Sequence, residues 1–245
     1  TMLFGGLKSI SYNLNRKNSD LKMFEFGKIY KTNNSKFSES QRLSVFMCGN
    51  ISSENWRVPN KGVDFYYLKQ RVNMILQKLG LLKYETSELN SFGFINGLEY
   101  KIKNESIVSF GKIDATITKN FNIKKDVYYA DFNWDIILKH KINIKYQPVS
   151  KFPSVKRDLS MLVDKSITFD RLELIAKKSV KGTLLSSVSL FDVYEGDKIP
   201  KDKKSYAISF IFSDSSKTLT DNIIEKMMNK ITSSYNDIGA IIRTD

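Results

Sequence analysis

The apolar and polar residues of this chain change period several times, and each change marks an element. From Val63 to Leu79 the apolar residues Phe65, Leu68, Val72, Ile75, Leu76 and Leu79 recur at helical spacing along one face. Asp64 stands in the first turn of that predicted helix, and Gly80 lies just past its end as a C′ residue. Around this helix the residues are strand-forming. LKMFEFGKIYK (21–31) and QRLSVFMCGNI (41–51) are rich in aromatic and β-branched residues and predict strands, with the polar KTNNSKFSES between them as a long hairpin loop. KYETSEL, GLEYKIKN and ESIVSFGKID predict three more strands, the last two joined by a tight turn at Asn104 and Glu105. VYYADFNWDIILKH predicts a strand that runs into a short helix. Antiparallel strands with few helices indicate an α+β domain rather than a doubly wound sheet.

The pattern lapses in KHKINIKYQPVSKFP (139–153), a basic stretch with Pro148 and Pro153 that predicts a linker. It divides the chain into domains at 1–148 and 151–245. Beyond it the pattern is regular. VKRDLSMLV is a strand. Thr168 caps a helix that runs to about Ser179, with Ile167 and Leu172 placed as a hydrophobic staple. SSVSLFDVYEG and SYAISFIF are strands flanking the hairpin loop GDKIPKDKKS. Thr220 caps a second helix with Ile223, Ile224, Met227, Met228, Ile231 and Tyr235 on one face, and GAIIR closes the order. The sequence β-α-β-β-α-β is the ferredoxin-like split unit.

Composition then narrows the chemistry. The 245 residues carry 39 Lys and Arg against 26 Asp and Glu, a net charge of +13 that suggests a polyanionic partner. Residues 1–150 hold 23 cations and 13 acids, and residues 151–245 hold 16 and 13, so the excess sits mainly in the first domain. No apolar run reaches the roughly 20 residues that span a bilayer, and the start of the chain lacks a basic and then apolar leader. No membrane association is expected. The single cysteine, Cys48, excludes an internal disulfide, fits a reducing cytosol and reads as a buried strand residue. With one histidine, His140, a Cys48–His140 dyad is formally possible, but neither residue has an activating neighbour in sequence. No Cys/His cluster, glycine-rich dinucleotide motif or P-loop is present. The residues therefore favour a binding or scaffold role, without catalytic residues, metal or cofactor of its own.

A split β-α-β sheet stacks both helices on one face and leaves the other open. Strand parity places Val155, Arg157, Leu159, Met161 and Val163 on one face, and Lys156, Asp158, Ser160 and Leu162 on the other. In the third strand Tyr206, Ile208, Phe210 and Phe212 are the bulky set that must meet the helices, which leaves Ser205, Ala207, Ser209 and Ile211 on the open face. That face is flat, polar and lightly basic. The expected RNA contacts are Lys156, Ser160, Ser205 and Ser209, with the lysines assigned to the hairpin loop, Lys201, Lys203 and Lys204, reaching phosphates. Phe191 and Tyr194 suit base stacking or a core equally well. Arg157 is expected to be structural, paired with a carboxylate at the sheet rim.

FPSVKRDLSMLV, LFDVYEGDKIPKDKKSYAISFIF, KTLTDNIIEKMMNKI and the closing GAIIR together resemble the ferredoxin-fold anticodon-binding domain that ends the beta chain of bacterial phenylalanyl-tRNA synthetases. MLFGGLKSISYNLNRKNSDLKMFEFGKIY and ENWRVPNKGVDFYYLKQRVNMILQKLG resemble the catalytic-like domain of the same beta chain. The resemblance implies a C-terminal fragment that begins inside a degenerate class II synthetase-like antiparallel domain. It further implies a cytoplasmic ligase that charges phenylalanine tRNA with phenylalanine. The adenylation chemistry, with its ATP and magnesium, would belong to the alpha chain of an alpha2-beta2 heterotetramer. The fragment would brace that chain and dock the anticodon stem-loop. A stand-alone ferredoxin-like module that binds a small molecule remains the alternative reading of the residues alone.

Overall fold

The computed structural model of the protein describes residues 1–33, 36–89, 91, 93–141, 150–180 and 184–243. The chain divides into two compact units, Thr1–Lys145 and Tyr146–Asp245. Most of the expected linker, and the expected boundary near 148–151, lies outside the described residues or at their edge.

The first unit is one six-stranded antiparallel sheet with helices on both faces. Its elements are α1 (Leu3–Leu14), β1 (Leu21–Asn33), β2 (Lys36–Cys48), α2 (Phe65–Lys78), β3 (Glu85–Leu89), β4 (Phe94–Ile102), β5 (Glu105–Ile113), α3 (Ala115–Lys119), β6 (Val127–Asn133) and α4 (Trp134–His140). The strand order is β1-β2-β6-β5-β4-β3. The predicted α2 forms because its apolar stripe meets the sheet: Leu68, Val72 and Leu76 are buried against Val108, Phe110, Ala130 and Phe132. Asp64 is the N-cap rather than a first-turn residue, and its carboxylate accepts from the Tyr67 amide at 2.7 Å. Gly80 takes a φ of +77° just beyond the helix end, a conformation that costs a side-chain-bearing residue steric strain. On the opposite face of the sheet, α1 buries Leu3, Leu7 and Ile10 over Phe46, Cys48, Val127 and Tyr129.

Two local expectations are corrected. The polar segment 31–40 is mostly not a loop, because the β1–β2 ladder continues to the pair Asn33–Lys36, and Lys28 meets Glu39 across it at 2.8 Å. Cross-strand pairing there outweighs the polar composition that suggested a loop. The turn between β4 and β5 is Lys103–Asn104, both at positive φ, with Glu105 already opening β5 opposite Ile102. Two consecutive left-handed residues match the twist of a two-residue hairpin, and Asn tolerates that conformation.

The second unit has the predicted order: β7 (Val155–Asp164), α5 (Phe169–Ser179), β8 (Leu185–Tyr194), β9 (Lys203–Phe212), α6 (Asp221–Asn236) and β10 (Ile241–Arg243). Its sheet runs β10-β7-β9-β8, all antiparallel. The Thr168 hydroxyl accepts from the Arg171 amide at 3.4 Å, and Ile167 and Leu172 are both buried in the core that the staple was expected to close. Thr220 occupies the N-cap of α6 without a side-chain hydrogen bond. Met161, Val163, Ile208, Phe210 and Phe212 face α5 and α6, where Ile224, Ile231 and Tyr235 complete a fully buried layer. The Tyr235 hydroxyl donates to the Leu172 carbonyl at 3.0 Å, tying the two helices together, and burial pushes its pKa well above the usual tyrosine value. Both units are α+β.

Candidate nucleic-acid interface

The helix-free face of the second sheet is set by strand register. Arg243, Ser160, Ala207 and Asp192 stand in one row; Ile241, Leu162, Ser205 and Tyr194 stand in the next. Asp158, Ser209 and Ser189 form a third row, and Lys156, Ile211 and Ser187 a fourth. The parity read from the sequence for β7 and β9 is the one observed. A bulge in β8 between Leu190 and Asp192 leaves Phe191 as an extra residue. Its ring lies 5.6 Å from the Lys156 ammonium, which fixes it on the open face rather than in the core. Phe191 is 58% exposed. Tyr194 is also exposed, and its ring lies over Gly196, where a Cβ would come within 2.5 Å of the hydroxyl oxygen. Glycine at 196 is what lets this ring lie flat beside the strand end.

The expected contact residues separate into groups. Lys156 is exposed on the open face and pairs with Asp158 at 3.2 Å. Ser160 is half-buried on the same face. Ser205 and Ser209 lie on that face too but are buried, on the central strand between β7 and β8. The Ser209 hydroxyl makes no hydrogen bond of good geometry, yet it lies close enough to the carboxylate of Asp158, its cross-strand partner, to help hold that acid below the usual carboxylate range, assisted by Lys156. Lys201 stands exposed on the β8–β9 connection with Lys198.

Lys203 and Lys204 are corrected: neither is on the loop. The ladder of β9 with β7 continues through Lys204–Val163 and Lys203–Asp164, so both residues are strand. Lys203 points to the open face and binds Asp164 at 3.0 Å. Lys204 points to the helix side, where it is buried; its ammonium donates to the Lys165 carbonyl at 2.9 Å and lies 4.7 Å from the Tyr206 ring. Its amine therefore anchors the β7–α5 turn. Arg157 is paired as expected, with Asp221 at 2.9 Å in the first turn of α6. Sequence reasoning missed Arg243, which the β10 pairing carries to the open face opposite Ser160. Its only sequence signal was strand parity in a three-residue element.

The alternative chemistry is not assembled. Cys48 is fully buried under α1, and burial raises its thiol pKa. His140 ends α4 and meets Glu105 at 2.7 Å, at the end of β5 remote from the Cys48–Val127 pair. Among the described residues no group of three or more His, Cys, Asp or Glu is placed to hold a metal ion. Nor does any described helix have the length and apolar character to cross a membrane.

Two family models divide the chain between them. Residues 1–134 match the phenylalanyl tRNA synthetase beta chain CLM domain, and residues 150–243 match the ferredoxin-fold anticodon binding domain. The chain belongs to the phenylalanine–tRNA ligase beta-subunit family. Within this family it is 41% identical to the beta subunit from Bacteroides thetaiotaomicron, covering 97% of this chain and 30% of that one. It is 34% identical to the beta subunits from Porphyromonas gingivalis, over 99% of this chain and 31% of that one, and from Fusobacterium nucleatum, over 97% and 30%. The chain thus spans about 30% of the length of the curated relatives it matches. Among solved structures, the pyrrolysyl-tRNA synthetase from Desulfitobacterium hafniense superposes with a TM-score of 0.44 at 12% identity, over 56% of this chain and 47% of that one.

Proposed function

We propose that this chain is a non-catalytic part of a phenylalanine–tRNA ligase, working in the cytoplasm as a tRNA and partner scaffold. The domains proposed for these roles are 1–148 and 151–245. The second docks the anticodon stem-loop of phenylalanine tRNA on its open sheet face. The first, a degenerate class II-like domain, braces the alpha chain that carries ATP, magnesium and the ligation chemistry in an alpha2-beta2 assembly. One observation carries this reading: the region matching an anticodon-binding family model presents a helix-free sheet face with an exposed ring, Phe191, beside an exposed cation, Lys156.

That face suits RNA physically. Lys156 and Arg243 approach phosphates from β7 and β10, Lys201 approaches from the connection, and Phe191 and Tyr194 offer π-faces to unstacked bases. Ser160 serves as a polar contact at the centre. Ser205 and Ser209, both buried in the central strand, act as a small-residue floor beneath the contacting side chains. Lys203 is neutralised on that face by Asp164, and Lys204 acts only through the turn it anchors.

Filter binding of transcribed phenylalanine tRNA across a salt series tests the reading. Each phosphate contact contributes about 0.7–0.9 to the slope of log affinity against log salt. Lys156→Ala combined with Arg243→Ala is expected to flatten the slope by about 1.5 and weaken binding. An unchanged slope and affinity would place the RNA elsewhere on the chain.

A further inference from the structure

The first unit has a surface that the tRNA reading leaves unused. β1 is the outer strand of its sheet, and α2 covers β2, β6 and β5 but stops short of β1. A groove of about 350 Å³ remains between the two. Phe24 and Phe26 line it from β1, 71% and 54% exposed, and Leu43 and Met47 lie on its floor. Met74 and Ile75 form its far bank on α2.

Charge at the rim has one sign. Lys22 stands on the β1 side; Arg71 and Lys78 stand on α2, two turns apart along the edge that faces the groove. None of the three forms an ion pair with a described residue: Lys22 binds the Asn50 carbonyl at 2.6 Å, and Arg71 binds the Tyr67 hydroxyl at 2.9 Å. α2 contains no acidic residue. The one acid of β1, Glu25, has the opposite strand parity to Phe24 and Phe26, so it points to the other face of the sheet. Glu39, on the groove's side of the sheet, is already neutralised by Lys28.

We propose that this groove docks an acidic amphipathic helix of a partner protein. The helix would seat two or three apolar anchors at i, i+4 and i+7 among Phe24, Phe26 and Met74, and set Glu or Asp against Lys22, Arg71 and Lys78. The size of the groove, toward the small end of the roughly 300–1,000 Å³ range of binding pockets, fits anchors rather than a whole ligand, and its floor has no convergent polar groups to orient a small molecule. Single-stranded nucleic acid fits less well. The Phe26 ring meets Trp134 edge-on at 4.9 Å and Phe24 edge-on at 6.3 Å, so the rings do not form parallel stacking shelves. A membrane surface fits less well because the apolar floor is concave. The inference is independent of the tRNA docking face.

The test uses the full 245-residue chain and fluorescence polarisation. The probe is a fluorescein-labelled synthetic helix of about 16 residues, with leucine at the anchor spacing and glutamate on its flanks. The comparison probes are the same helix with lysine for glutamate, a labelled oligothymidine, and phosphatidylcholine–phosphatidylserine vesicles. The acidic helix is expected to bind at least tenfold tighter than the lysine helix and to be displaced by neither of the other two. Phe24→Ser, at an exposed position, is expected to weaken it about tenfold. Lys78→Glu is expected to weaken it and strengthen the lysine helix. Equal binding of both helices, preference for the oligonucleotide or vesicles, or indifference to both substitutions in proteins with unchanged circular dichroism would overturn the proposal.

Discussion

Replacing Phe191 by alanine separates binding from folding. The ring is 58% exposed and sits on a bulge, so truncation removes about two-fifths of the roughly 1.5–3 kcal/mol that full burial of such a side chain contributes. A folding cost of about 1 kcal/mol shifts the melting temperature of a domain of this size by about 4–8 °C. Loss of a base stack costs about 1–3 kcal/mol, or roughly 5- to 150-fold in affinity. The expected result is therefore a large binding defect in a protein that still melts cooperatively. The assay pairs filter binding of phenylalanine tRNA with a circular-dichroism melt of the same preparation. Phe191→Leu is the control, since it keeps an apolar side chain beside Lys156 but removes the π-face; it is expected to bind as weakly as the alanine protein. Alanine binding within twofold of the parent, or leucine binding as well as phenylalanine, would refute the stacking argument.

Asp158→Asn is expected to tighten tRNA binding a few-fold in the same assay, because it frees Lys156 and removes a carboxylate held ionised on the face that meets phosphate. Tyr235→Phe is expected to cost about 1 kcal/mol of stability in a urea melt, the usual net value of one buried hydrogen bond, here the one to the Leu172 carbonyl. Asp64→Ala is expected to cost about 1 kcal/mol through loss of the α2 N-cap, read as a lower denaturation midpoint at unchanged slope. Cys48, fully buried with its thiol pKa raised, is expected to react with Ellman's reagent only after denaturant is added.

What could be read in advance follows the range of the forces involved. α2, α5 and α6 were visible because their apolar stripes repeat over three or more turns, and the parity of β7 and β9 because one side of each strand is unmistakably bulky. The β8 bulge was not visible: nothing local to Leu190, Phe191 and Asp192 says that β9 offers one partner fewer. For the same reason the side of the sheet taken by Phe191 stayed open until register was known. Lys203 and Lys204 misled because polar composition, which usually marks a loop, was overruled by a ladder whose other strand lies some 40 residues earlier. The burial of Ser205 and Ser209 is likewise a property of three strands together, since β9 has β7 paired on one side and β8 on the other.

The pairing of β10 with β7 has a topological consequence. Arg243 lies opposite Ser160, five residues into the strand that Val155 begins, so the second unit receives and releases its backbone on neighbouring strands of one sheet. At about 3.3 Å per residue that gap is roughly 17 Å, short enough for a linker of six to eight residues. Such a layout makes the unit self-contained in the sense relevant to protein engineering. It can be rewired by joining the end of β10 to the start of β7 and opening the exposed connection between Glu195 and Asp202, a cut that leaves every ladder and both helices intact.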